Sequence, residues 1–188
     1  DWEYEGDLSG KKATYDARIR YSDQDKTYVS RTTGLRGQFG GEDIIDRYDA
    51  SWFDGRARVD VALKEHLSLR VAIEARNKEY EDYTALGMSN LDYAQWSGTG
   101  TLRFRPNKQN DIKASLGYGL RTYDNRAGRN LAGVIVAGSD LEYTFTDFDV
   151  DWKHSLPGDQ DIRASYTFKT REDNVSGYFD TTTNEFAL

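Results

Sequence analysis

Asp147, Asp149 and Asp151 put three carboxylates on alternate residues. In an extended chain such residues share one face at steps of about 7 Å. That spacing admits calcium ligation or a solvated acidic lining, and the lining is the reading favoured here. The two histidines, His66 and His154, both stand at or beside short turn sequences, where nothing orients them as a triad or a metal site. Gly98-Thr99-Gly100 lies within a strand-like run and not before a helix, so a phosphate-binding loop is unsupported. With no Cys there is no disulfide and no thiolate site. No catalytic constellation emerges, and neither a cofactor nor a metal is expected.

The charged residues instead follow a spatial pattern. From Ala94 to Phe104 the even positions are Ala, Trp, Gly, Gly, Leu and Phe, and the odd ones are Gln, Ser, Thr, Thr and Arg, with Arg105 following. This period of two marks a β-strand with one apolar and one polar face. Pro106 to Asn110 reads as a turn. Alternation then resumes, with Ile112, Ala114, Leu116, Tyr118 and Leu120 set against Lys113, Ser115, Gly117, Gly119 and Arg121. Each arm is about ten residues long, enough for a tilted strand to cross a bilayer.

The same hairpin recurs along the chain. Residues 2–8 and 13–21 alternate around a turn at 9–12. Residues 53–63 and 67–76 do so around 64–66, and residues 139–155 and 161–171 around 156–160. Leu141, Tyr143 and Phe145 are out of phase with Phe148, Val150 and Trp152, which predicts a bulge near Thr146. The connections between hairpins, 22–47, 77–91, 124–138 and 172–180, are longer. Leu131–Ala137 is expected to pack as a strand within its loop. Alternating short and long connections predict an all-β, antiparallel transmembrane β-barrel, with about eight strands as four hairpins.

Composition agrees with that class. The chain has 188 residues, 13 Tyr, 8 Phe, 4 Trp and 17 Gly, and no apolar run long enough for a membrane helix. A net charge of −7 argues against nucleic-acid binding. Asp1 is not followed by a signal peptide. Eight strands starting into a short turn would leave both ends on the long-loop side, and the final residues lack a terminal aromatic. Both features point to a section of a larger barrel, although a complete eight-stranded barrel fits the strand count equally well.

If the apolar face meets outer-membrane lipid, the other lines a lumen. Arg58, Arg70, Arg103, Arg105, Lys113, Arg121, Asp147, Asp149, Asp151, Arg163 and Lys169 are the expected lining. Cross-strand ion pairs would satisfy most of them, while a solvated, ion-selective lumen or a grip on a plug protein is the functional alternative. Trp96, Phe104, Tyr118, Trp152, Tyr166 and Phe168 are the expected lipid-facing aromatics. Tyr80, Tyr83, Tyr93, Tyr123 and Tyr143, with Trp96, would form a girdle at the long-loop border, and Phe104 and Trp152 one at the short-turn border. A soluble all-β binding or adhesive protein that packs its aromatics across strands is the competing reading.

Strand ends carry an idiom: Arg20-Tyr21-Ser22-Asp23, Arg121-Thr122-Tyr123-Asp124-Asn125-Arg126 and Lys169-Thr170-Arg171-Glu172-Asp173-Asn174, with a looser copy from Arg76 to Tyr83. It resembles large Gram-negative outer-membrane barrels, most of all the decahaem-cytochrome-associated family. That resemblance implies a pore or a sleeve around a partner such as a multihaem cytochrome. No Cys-x-x-Cys-His motif is present, so any haem would belong to the partner.

Overall fold

Period-two alternation leaves each strand with one apolar edge row to bury, and neighbouring strands pair so that these rows coincide. The computed structural model describes residues 1–24, 50–80, 92–124, 126–158 and 160–188. They form one antiparallel sheet of nine strands, each bonded to its neighbours in sequence. The strands are β1 (Trp2–Leu8), β2 (Lys11–Gln24), β3 (Ala50–Lys64), β4 (Leu67–Tyr80), β5 (Tyr93–Phe104), β6 (Asn110–Tyr123), β7 (Glu142–Leu156), β8 (Gln160–Asp173) and β9 (Thr181–Ala187). No helix occurs among the described residues. The sheet is open. β1 and β9 are its edges, and in an unbroken meander of odd count they run in the same direction.

The tight turns fall where turn residues stand. Ser9 and Gly10 both take positive φ, 51° and 75°, as a two-residue hairpin turn that follows the sheet's twist requires. Pro157 is followed by Gly158 at φ 84°. Between β5 and β6 the Asn107 Oδ1 accepts the backbone N–H of Gln109 at 3.0 Å and of Asn110 at 2.9 Å, an Asx turn.

Three sequence expectations need correction. First, the strand count is nine: Thr181–Ala187 pairs along Ser165–Arg171, where a polar loop was expected. Its Thr-rich composition suits a strand, but its short alternation hides among loop residues. The last strand therefore runs toward the short turns, opposite to β8. Second, β7 has no bulge at Thr146, because its register with β6 and β8 runs unbroken from Tyr143 to His154. Third, Leu131–Ala137 is not a packed strand. It makes a single bridge, Arg129 to Ile135, and Leu131, Val134 and Ile135 stay exposed. The sheet is not closed among the described residues. A register shift does occur, between Ala62 and Lys64. Most of the loops expected at 22–47 and 77–91, including Tyr83, lie outside the described residues, although β2 and β4 extend into their first residues.

Candidate functional site

Because the register is regular, the polar rows of all nine strands join into one charged face. Every lining residue named from the sequence lies on it. One row runs Asp16, Arg58, Ala72, Thr99, Gly117, Asp147, Lys169, and the next runs Thr14, Asp60, Arg70, Thr101, Ser115, Asp149, Thr167. Arg103 and Lys113 stand opposite one another, as do Lys113 and Asp151, and Lys153 and Arg163.

Ion pairs tie this face together across strands. Asp16 Oδ1 lies 2.9 Å from Arg56 Nη2 and 4.0 Å from Arg58 Nε. Asp60 Oδ2 lies 3.0 Å from Arg58 Nε, without hydrogen-bond alignment, and its Oδ1 accepts from Arg70 Nε at 2.6 Å. This gives one network over β2, β3 and β4. Asp54 accepts from Arg76 Nε at 2.5 Å and from Trp52 Nε1 at 3.0 Å. Asp111 binds the Arg103 guanidinium and, at 3.3 Å, Arg105. Asp161 lies 2.9 Å from Lys153 and 3.6 Å from Arg163. Asp149 accepts from Thr167 at 2.6 Å. Lys113, Asp147, Asp151 and Lys169 form no ion pair among the described residues, although register sets them opposite one another. Among those residues no cluster of three or more His, Cys, Asp or Glu could hold a metal. The two histidines stay apart: His66 is in the β3–β4 turn, and His154, on the apolar face, meets Asn110 Oδ1 at 2.9 Å.

Toward the long-loop end the charged face carries an arginine–aromatic cluster. Tyr93, Tyr123, Leu141 and Tyr143 are buried there, with Phe145 and Phe179 against them. The Arg121 guanidinium lies 4.3 Å from the Tyr93 ring centre and 5.3 Å from that of Phe145. Arg171 lies 4.9 Å from the Tyr143 ring and donates to the Phe179 carbonyl. Arg126 covers Tyr123 at 5.0 Å. The connection 174–180 folds onto this cluster. Asp173 accepts the backbone N–H groups of Val175, Ser176 and Gly177 on one oxygen and of Phe179 on the other. Ser176 Oγ donates to the Arg129 carbonyl at 2.5 Å, which joins the two loops.

Tyr80, Tyr93, Tyr123 and Tyr143 therefore stand on the charged face, opposite to the face that carries Trp96. Their sequence parity with Lys78, Gln95, Arg121 and Asp147 places them there once the bulge is removed. Trp96, Phe104, Tyr118, Trp152, Tyr166 and Phe168 do share the apolar face. Phe104 closes β5 beside its short turn and Trp96 stands near the opposite end. Tyr118, Tyr166 and Phe168 stand well inside their strands. The sequence reading missed Asp54 and Asp111, each a hub for two donors, and Asp161, which gathers Lys153, Arg163 and the Ser155 hydroxyl. Asp54 and Asp161 lie inside the strand limits 53–63 and 161–171 and Asp111 one step before Ile112, all on polar parity, so reading the polar row out to the strand ends would have found them.

On the apolar face, charged side chains stand only within one residue of a strand end. They are Lys11 and Lys64 toward the short turns, and Asp23, Glu79, Glu142 and Glu172 toward the long loops. Between these borders lie apolar, aromatic, Gly and neutral polar residues. Ile19 is 82% exposed, Leu116 60% and Ile73 59%.

Comparison with family models, curated proteins and solved structures returned no match.

Proposed function

We propose that the chain is wall of a transmembrane antiparallel β-barrel of the Gram-negative outer membrane, with the charged face toward an aqueous lumen, and that it acts as a pore. One observation carries this reading: the charge-free apolar band with its charged borders. About eleven residues at about 3.3 Å each, tilted about 45°, rise about 26 Å, close to the apolar band of such barrels. A sheet exposing so continuous an apolar face to water would be an aggregation liability, whereas lipid is a medium it fits. The charged face supports a watery lumen, because charges without an ion pair among the described residues, Lys113, Asp147, Asp151 and Lys169, are costly to keep away from water.

The open edges set a condition on the barrel. β1 and β9 run in the same direction, so an all-antiparallel wall closes only with an odd number of further strands.

Folding is tested with and without detergent micelles, by far-UV circular dichroism and heat-modified gel mobility. β-structure and a mobility shift that depend on detergent support the membrane reading, and a monomer folded in plain buffer favours a soluble all-β binding protein. Planar-bilayer conductance separates a pore from a sleeve: stepwise open currents support the pore, while a sealed barrel that conducts only when a partner such as a multihaem cytochrome is absent supports the sleeve.

A further inference from the structure

Arg18 on β2 stands directly opposite Arg56 on β3. Like charges so placed destabilise a sheet. One step toward the long loops, Arg20 opposes Asp54, which itself opposes Arg76. These four arginines line a single cavity of about 260 Å³ on the charged face. Two carboxylates, Asp54 and Glu74, share the lining, so its formal charge is 4 − 2 = +2 in a chain of net charge −7.

Those charges are unevenly satisfied. Asp54 is taken by Arg76 and Trp52, and Arg56 Nη2 reaches Asp16. Arg18 and Arg20 form no ion pair among the described residues. The Arg56 Nε–H is buried and has no acceptor among the described residues. Neutral donors complete the lining: Gln95 has its Oε1 committed to Arg121, which leaves its amide N–H groups, and Ser97 brings a hydroxyl.

We propose that this cavity is a binding site for a small multivalent oxyanion, a phosphate or sulfate group free or carried on a solute. Such an anion would bridge Arg18 and Arg56 and turn their repulsion into two charge-assisted contacts. Glu74 opposes it and sets an upper limit on affinity. The inference rests on the reading that this face is open to water, but not on the opposite face meeting lipid.

The test is calorimetric titration of the folded full chain with inorganic phosphate and with sulfate, at constant ionic strength set by chloride. Circular dichroism and gel mobility first establish folding, in whichever medium folds the chain, so a failure of the membrane reading is seen separately. One saturable site is expected. The double variant Arg18→Gln/Arg20→Gln breaks no ion pair among the described residues and should weaken it by at least about tenfold. Glu74→Gln should tighten it. Lys113→Gln/Lys169→Gln removes the same charge elsewhere on the face and should leave it within about twofold. Absence of saturable binding by the folded chain overturns the proposal. So does equal weakening by both double variants, which would mark a diffuse field and not a site.

Discussion

The Arg121 guanidinium rests 4.3 Å from the centre of the Tyr93 ring, diagonally across β5 and β6, and donates to Gln95 at 2.9 Å and 2.6 Å. A planar cation thus fills the gap between Tyr93 and Phe145 and closes the long-loop end of the charged face. Arg121→Ala removes two ring contacts and strands an acceptor, and should cost about 2 kcal/mol. Arg121→Lys should recover less than half, because an ammonium cannot stack and bond in a fork together. Urea unfolding of the two variants checks both values.

Ser115 and Leu116 are adjacent in β6 and face opposite ways, Ser115 toward Asp149 and Leu116 toward Phe148. Leu116→Arg puts a charge inside the apolar band and should cost about 2–4 kcal/mol in lipid. Ser115→Arg adds a cation to a face that already holds acidic groups and should stay within about 1 kcal/mol. Reversible unfolding in vesicles measures the difference. Equal costs would mean that the two faces do not differ in solvent.

Asp60 joins Arg58 and Arg70 on the charged face. Asp60→Asn leaves two neighbouring guanidinium groups without their shared counter-ion. A loss of about 1 kcal/mol is expected, with salt reducing the gap to the parent chain. Unfolding midpoints at low and high salt test this.

Asp173 ends β8 at the loop border, outside the stretch that would cross a bilayer. Partial burial pushes its carboxyl up, but the N–H groups of Phe179, Ser176, Val175 and Gly177 outweigh that and hold it at about 2. A carboxyl depressed on folding lends stability above its unfolded value of about 3.9 and loses it as pH falls toward the folded value. The 174–180 connection should therefore loosen between about pH 4 and pH 2. Asp173→Asn should loosen it at neutral pH and flatten the acid response. Proteolysis at Phe179, by pepsin at acid pH and by chymotrypsin at neutral pH, follows both.

Alternation made most of this fold legible before any coordinates. The hairpins around 10, 65, 108 and 158 and both faces of β2 to β6 follow from parity alone. Parity also failed in an instructive way: Tyr143 and Phe145 are apolar, so assigning faces by hydrophobicity called for a bulge the sheet does not contain. They sit instead on the charged face, covering and covered by Arg121 and Arg171, because an aromatic ring is a partner for a guanidinium as well as for lipid. β9 was missed because Thr181-Thr182-Thr183-Asn184 offers no apolar alternation. The arginine cavity was out of reach too, since Arg18 and Arg56 meet only through a β2–β3 register that the intervening loop does not announce.

Trp96 and Trp152 lie on the apolar face, and Trp52 lies on the charged face, where Lys78 sits 4.8 Å over its ring. Single-tryptophan variants of the chain, reconstituted in vesicles of brominated phosphatidylcholine, test the lipid-facing claim most directly. Trp96 and Trp152 emission should be strongly quenched by the bromolipid and little affected by aqueous iodide, with Trp52 showing the reverse. Iodide quenching of Trp96 and Trp152 with no response to bromolipid would contradict the account.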